Sequence, residues 1–332
     1  MRLLILTLAF PFFVLAQKND SDLLKKYKEQ AKRVTIIRDT WGIPHIYGKT
    51  DADAVFGLLY TECEENFPRV EKNYLEMMGR SAEIEGKKTI YDDLEMRLIY
   101  DSSAAKRDYK ISPAWFKKLL QAFADGINYY LVTHPDVKPL VLKRFEPWFP
   151  LMYTDGSIAP TQDGGLTMKD LLSLYAKDSN ALSYKKPVPF FDVDPSGSNG
   201  FAVAPVKTAN KNSILYINPH VSFYFRTEVH MVSEEGLNVY GAVTWGQFFV
   251  YQGFNQHCGW MHTSSYADVA DLYEEKIVKK TNGLFYQYDG KSYPVKTKRV
   301  TINYKGVPSS QKTFFTTYAT LHGPVMGMRN SK

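Results

Sequence analysis

Gly197-Ser198-Asn199-Gly200-Phe201-Ala202-Val203-Ala204-Pro205 stands where the texture of the chain changes. Before it, Lys186-Pro187-Val188-Pro189 and Asp194-Pro195-Ser196 give the proline-rich, extended composition of a linker or exposed loop. After it, almost everything reads as strand: residues 201–205, a turn at Asn210-Lys211, then 214–217, 237–243 and 256–263. A hairpin turning at Asp289-Gly290 follows, with further strands at 299–304 and 313–320.

Upstream, from Ser21 to about Asp178, the signals are mostly helical. Thr50 caps a helix through Ala52, Val55, Phe56, Leu58 and Leu59, and Pro68 opens a second helix that stops near Gly79. The strongest pattern takes Ser112 as N-cap with Pro113 at the first helical position. Its apolar residues Trp115, Phe116, Leu119, Leu120, Phe123, Ile127, Tyr130 and Leu131 recur at three and four until Pro135. A short strand pair, 34–37 with 45–47, turns at Gly42-Ile43-Pro44 ahead of these helices. Helices in one half and strands in the other give an α+β class.

Of the 332 residues 44% are hydrophobic and 14% aromatic, enough to bury one large core or two modest ones and too apolar for disorder. The net charge of +6 comes from scattered pairs such as Lys25-Lys26, Lys117-Lys118 and Lys279-Lys280. They read as solvated faces, and no basic block interleaved with aromatics marks a nucleic-acid binder. At the start, Arg2 precedes an uncharged run from Leu3 to Ala16 that ends in Val14-Leu15-Ala16. That run is shorter than the about 20 residues needed to cross a bilayer and has the form of a secretory signal peptide. The mature chain is then expected in the periplasm or outside the cell, with no membrane association after signal removal. Export permits a disulfide between Cys63 and Cys258, and two buried free thiols are the other reading.

Several segments carry a resemblance to one family. They are Arg38-Asp39-Thr40-Trp41-Gly42-Ile43-Pro44-His45-Ile46, Ala122-Phe123-Ala124-Asp125-Gly126-Ile127-Asn128-Tyr129, and the stretch from Gly197 to Pro205 followed by Asn218-Pro219-His220. Tyr240-Gly241-Ala242, Gly253-Phe254-Asn255, Trp260-Met261-His262-Thr263, Asp271-Leu272-Tyr273 and His322-Gly323-Pro324-Val325 follow in order. Together they resemble the penicillin acylase family, and within it the cephalosporin, aculeacin and acyl-homoserine-lactone acylases. The resemblance implies an N-terminal nucleophile hydrolase with a four-layer αββα fold, matured by autoproteolysis.

On that resemblance, residues 1–16 are the signal peptide, 17–182 a helical small-subunit region, 183–197 a spacer ending at the cleavage site, and 198–332 the start of the β-rich catalytic subunit. The two pieces of one precursor would stay together as a heterodimer. The expected substrate is the amide of an N-acylated small molecule, such as a β-lactam side chain, an acyl-homoserine lactone or a lipopeptide.

The resemblance implies that cleavage after Gly197 exposes Ser198 as an N-terminal nucleophile. A serine hydroxyl needs a base to take its proton, and a free α-amino group, with a pKa of about 8, is such a base near neutral pH. While the Gly197 to Ser198 bond is intact that nitrogen is an amide without basicity, so cleavage must precede activity. Gly197 lacks a side chain, which eases the approach of the Ser198 hydroxyl to its carbonyl. The resemblance assigns His220 to assisting or orienting the Ser198 hydroxyl, and the backbone N–H of Ser264 to an oxyanion donor. The other histidines read as structural, with no zinc-like spacing. The chemistry requires no cofactor, while Asp268, the Ala270 carbonyl and Asp271 match a stretch that holds structural calcium in some members.

The resemblance also implies a continuation past Lys332 that supplies a second oxyanion donor, an asparagine. The rival reading is an inactive truncated homologue or an extracellular binding module. A Ser-His-Asp hydrolase would want a Gly-x-Ser-x-Gly elbow between strand and helix, and none is present. The signal peptide gives a direct test: N-terminal sequencing of the exported protein should begin at Gln17, and a start at Met1 would remove the signal.

Overall fold

Close approach at two glycines organises the first part of the molecule. In the computed structural model, which describes residues 10–152, 167–176, 197–221, 226–263, 271–306 and 309–328, with side chains from Ser21 onward, helix α2 (Asp51–Met77) meets helix α6 (Ala114–Thr133) at Gly126. A Cβ there would lie 2.5 Å from the Phe56 carbonyl oxygen. On its other side α2 presents Gly57, where a Cβ would lie 2.6 Å from Ile46 Cγ2 and 2.8 Å from Val34 Cγ1. Only glycine lets α2 lie this close to both neighbours.

The chain divides into two compact units, each drawing on residues from both sides of Ser198. One comprises Met1–Val70, Ile111–Pro150 and Arg226–Met261, the other Glu71–Lys110, Leu151–Phe225 and His262–Lys332. In the first, helix α1 (Phe10–Ala31) lies along α6, tied by the Lys26 ammonium to the buried Asp125 carboxylate at 2.6 Å. The unit's sheet runs β1 (Val34–Arg38), β2 (Pro44–Gly48), β5 (Arg226–Ser233), β6 (Asn238–Thr244), β7 (Gln252–Phe254) and β8 (Gly259–Trp260). All neighbours are antiparallel except β2 and β5, which pair in parallel from His45 opposite His230 to Gly48 opposite Ser233. Along β5 alternate side chains Val229 and Met231 are buried, as are Ile46 on β2 and Leu58, Leu59, Phe123 and Ile127 on the helices.

In the second unit, helices α3 (Ala82–Glu85), α4 (Ile90–Ile99), α5 (Ser102–Ile111) and α7 (Met168–Tyr175) accompany the hairpin β12 (Lys296–Tyr304) with β13 (Gln311–Ala319). Leu94, Leu171, Leu172, Val300, Ile302 and Phe315 meet there in a buried cluster. A smaller meander, β9 (Ile277–Lys280), β10 (Gly283–Tyr288) and β11 (Lys291–Pro294), turns at Asp289-Gly290 as the sequence indicates. The hairpin of β3 (Ser198–Val203) with β4 (Ile214–Pro219) completes the unit's strands among the described residues.

Local signals are realised with small shifts. Thr50 Oγ1 accepts the Asp53 N–H at 3.1 Å, as an N-cap should. Asn66 breaks α2 (φ −159°, ψ 65°) and its Oδ1 accepts the Arg69 N–H, so the segment containing Pro68 begins as a new helix fused to the first. Helix α6 starts one residue later than the sequence suggests. Pro113 keeps an extended ψ of 155° and serves as N-cap in place of Ser112. The strand expected over 256–263 shrinks to Gly259–Trp260, because Asn255 Oδ1 accepts the N–H groups of His257 and Cys258 and turns the chain. Cys63 is buried and Cys258 exposed, and both are free thiols, so neither the disulfide nor a pair of buried thiols is found.

One buried acid stands out in the first unit. Glu62, on α2, is 1% exposed. One carboxyl oxygen accepts the Gly246 N–H at 2.7 Å, and Oε1 has no hydrogen-bond partner among the described residues. Burial pushes this carboxyl well above its ordinary value of 4.5, so the folded protein holds it protonated where the unfolded chain does not. The contribution is full below the unfolded value and is lost as pH rises towards the folded one. Glu62→Gln keeps an acceptor for Gly246 and removes the titration. Melting scans from pH 4 upward should therefore show the variant gaining on the parent as pH rises, whereas parallel curves would show that Glu62 does not titrate differently in the two states.

Candidate active site

The β3–β4 hairpin positions Ser198, Asn199, Asn218 and His220, while Thr263 comes from the segment after β8. The hairpin's connection is fixed locally: the Thr208 hydroxyl donates to Asn212 O at 2.7 Å, Asn210 Oδ1 accepts the Asn212 N–H at 3.1 Å, and Lys211 takes a positive φ of 59°. From that turn the register runs Val203 opposite Ile214, Phe201 opposite Tyr216, Asn199 opposite Asn218 and Ser198 opposite Pro219. Phe201 and Tyr216 stack across the strands with ring centroids 4.7 Å apart, a cross-strand pair that holds the register.

Ser198 is the first residue of β3, and His220 follows directly on the last residue of β4. The two lie 22 positions apart in sequence, and the register brings them together: the His220 backbone N–H donates to Ser198 Oγ at 3.3 Å. The His220 ring sits between the paired asparagines, with Nε2 3.1 Å from Asn218 Oδ1 and 3.3 Å from Asn199 Nδ2. When Nε2 carries the proton it donates to Asn218 and Nδ1 is the basic nitrogen; Asn199 donates to Nε2 in the other tautomer.

The Ser198 nitrogen has its own partner, donating to Thr263 Oγ1 at 2.8 Å. Gly197, just ahead, is buried with φ 90°, a conformation in the left-handed region that a side chain would strain. Ser198, His220, Asn199, Asn218 and Thr263 all belong to the second unit.

Of the residues expected from the sequence, Gly197, Ser198 and His220 therefore come together. Ser264, Asp268 and Ala270 lie outside the described residues. Asp271 presents an exposed carboxylate, an oxygen donor of the kind calcium takes, and no group of three or more His, Cys, Asp or Glu side chains gathers among the described residues. The other histidines make different contacts. His45 and His230 face each other with Nδ1 atoms 2.9 Å apart, His134 stacks on Tyr130, and His322 stacks on Tyr273 and bonds to Glu275.

Asn199, Asn218 and Thr263 are contacts that sequence reasoning missed. All three lie inside the quoted landmark segments, but only the hairpin register and the return of the chain after β8 reveal what they touch.

Residues 33–330 match the family described as Penicillin amidase. An acyl-homoserine lactone acylase QuiP of Pseudomonas fluorescens (strain Pf-5) is 24% identical, the match covering 90% of this chain and 42% of that protein. The penicillin acylase 2 proenzyme of Pseudomonas sp. (strain SE83) is 26% identical over 88% of this chain and 43% of its own length. An acyl-homoserine lactone acylase PvdQ of Pseudomonas fluorescens (strain Pf0-1) is 22% identical over 88% and 40%. The chain thus spans about two-fifths of the length of these curated relatives. A thermostable penicillin G acylase from Alcaligenes faecalis matches 36% of the chain and 68% of its own at 16% identity and a TM-score of 0.32.

Proposed function

The chain belongs to the penicillin amidase family, and on that premise we propose that it forms part of an exported acylase that hydrolyses the amide of an N-acylated small molecule. Ser198, freed by cleavage after Gly197, is the nucleophile. The observation that carries this reading is the double hold on Ser198: its nitrogen on Thr263 Oγ1 at 2.8 Å and its hydroxyl oxygen under the His220 N–H at 3.3 Å, at the head of a strand and directly behind a glycine with φ 90°.

The chemistry follows from those groups. In the uncut chain the Ser198 hydroxyl adds to the Gly197 carbonyl, the C–N bond breaks as the nitrogen takes a proton, and water hydrolyses the resulting ester. The products are a Gly197 carboxylate and a free Ser198 amine. In the mature protein that amine accepts the hydroxyl proton as Oγ attacks the substrate amide. The His220 backbone N–H donates to Oγ and stabilises negative charge as it develops there. The ring, its Nε2 held by Asn218, offers Nδ1 for proton transfer. The Ser264 N–H supplies one oxyanion donor.

Asp268, the Ala270 carbonyl and Asp271 would hold a calcium ion, whose part would be structural and outside the chemistry. The names of the relatives, acyl-homoserine lactone acylase and penicillin acylase, favour the amide of an acyl-homoserine lactone or a penicillin as substrate. After cleavage the small and large pieces remain associated as a heterodimer, and parallel pairing of β2 with β5 on opposite sides of the cut supports this.

Intact mass of the expressed chain should resolve a piece ending at Gly197 and a piece from Ser198 to Lys332, and Ser198→Ala should stay whole. Cutting of the alanine variant at the same bond would remove Ser198 from the reaction. In the active enzyme, His220→Ala should lower turnover of an acyl amide by about a hundred- to ten-thousandfold, the range of a positioned acid-base group. Turnover unchanged in that variant would return the His220 ring to a structural part.

A further inference from the structure

The nitrogen of Ser198 is the atom whose chemistry changes most in this scheme, first an amide, then a leaving group, then a base. Within the hairpin its register partner is Pro219, yet its N–H goes to a side chain 65 positions further along, the hydroxyl of Thr263 at 2.8 Å. That contact crosses from the strand bearing the nucleophile to the segment following β8. It is also the Ser198 nitrogen's one hydrogen bond to a side chain among the described residues.

We propose that Thr263 is a positioning residue that fixes the Ser198 nitrogen before and after cleavage, a role that rests on the reading of Ser198 as the nucleophile. In the uncut chain, accepting the amide N–H sets the plane of the Gly197 to Ser198 peptide. That plane decides which face of the carbonyl the hydroxyl meets. The His220 N–H holds Oγ independently, so the attacking atom and the leaving atom are anchored from two different segments. A threonine hydroxyl suits this place because it accepts from an N–H at any stage, whether the nitrogen is amide or amine, and carries no charge to perturb the base. After cleavage a free amine rotates about its bond to Cα. One N–H held by Thr263 removes that freedom and keeps the lone pair in one direction, the kind of pre-paid ordering that speeds a proton transfer.

Valine has the shape of threonine without the hydroxyl, and serine keeps the hydroxyl without the methyl. The test follows the appearance of the Ser198–Lys332 fragment over time by intact mass in the 332-residue chain, as wild type, Thr263→Val, Thr263→Ser and Ser198→Ala. We expect Thr263→Val to slow cleavage by about tenfold or more, the rate equivalent of one lost hydrogen bond, and Thr263→Ser to stay close to wild type. In the mature enzyme Thr263→Val should lower kcat and leave KM unchanged, because the amine acts in the chemical step and not in holding the acyl group.

Cleavage of Thr263→Val at the wild-type rate, with Ser198→Ala uncut, overturns the role of Thr263 while leaving the nucleophile in place. Equal slowing of the valine and serine variants overturns it as well, since the hydroxyl would then not be what matters. A wild-type chain never cut at this bond removes the nucleophile reading and the role of Thr263 with it. Thermal melting of each variant checks that folding is equal, and Thr263→Ala repeats the comparison should valine disturb the fold.

Discussion

The site hangs on the register of one hairpin. Pairing Ser198 with Pro219 puts the next residue, His220, beside the serine, and its backbone N–H reaches Ser198 Oγ. A slip of one residue would turn every side chain of β3 to the other face and separate the two. What resists the slip is modest and local: the stacked Phe201 and Tyr216 rings, the Thr208 to Asn212 turn, and the asparagine pair that encloses the His220 ring. Since β3 and β4 expose much of their surface, the register is defined by these contacts more than by burial.

The first unit is held differently. It is held by two close glycine contacts, Gly126 of α6 against α2 and Gly57 of α2 against Ile46 and Val34 on the strands, and by a sheet that pairs β2 with β5 in parallel. The acid placed inside that unit has a structural use. Glu62, neutral when buried, receives the Gly246 N–H at a turn where Gly246 itself has φ 92°, and burial likewise keeps the neighbouring Cys63 thiol well above its ordinary value and so unreactive.

Much of this was legible in the sequence because its signals are local. Thr50 as a cap, Pro68 as a helix start, the three-and-four spacing from Trp115 to Leu131 and the Asp289-Gly290 turn each act within a few residues, and each is realised. Strand β5 was not legible: Arg226, Glu228 and His230 share one face, and its two buried apolar residues, Val229 and Met231, make too short an alternation to stand out. The boundaries of the two compact units were equally hidden, because residues 226–261 join the helices before Ser198 while residues 71–110 join the strands after it. At the site, Ser198 and His220 are marked by residue type and order. Thr263 is an ordinary threonine until the chain returns after β8 and sets its hydroxyl against the Ser198 nitrogen. Contacts between segments this distant carry no trace in local pattern.

The central claim is that Ser198 acts as an N-terminal nucleophile. It is tested most directly by treating the protein with a serine-reactive sulfonyl fluoride and mapping the adduct by tryptic mass spectrometry. The account predicts one modified peptide, Ser198 to Lys207, with a free α-amino group and the adduct on the Ser198 hydroxyl. An adduct on another residue, or a modified peptide that runs unbroken through Gly197, would contradict it.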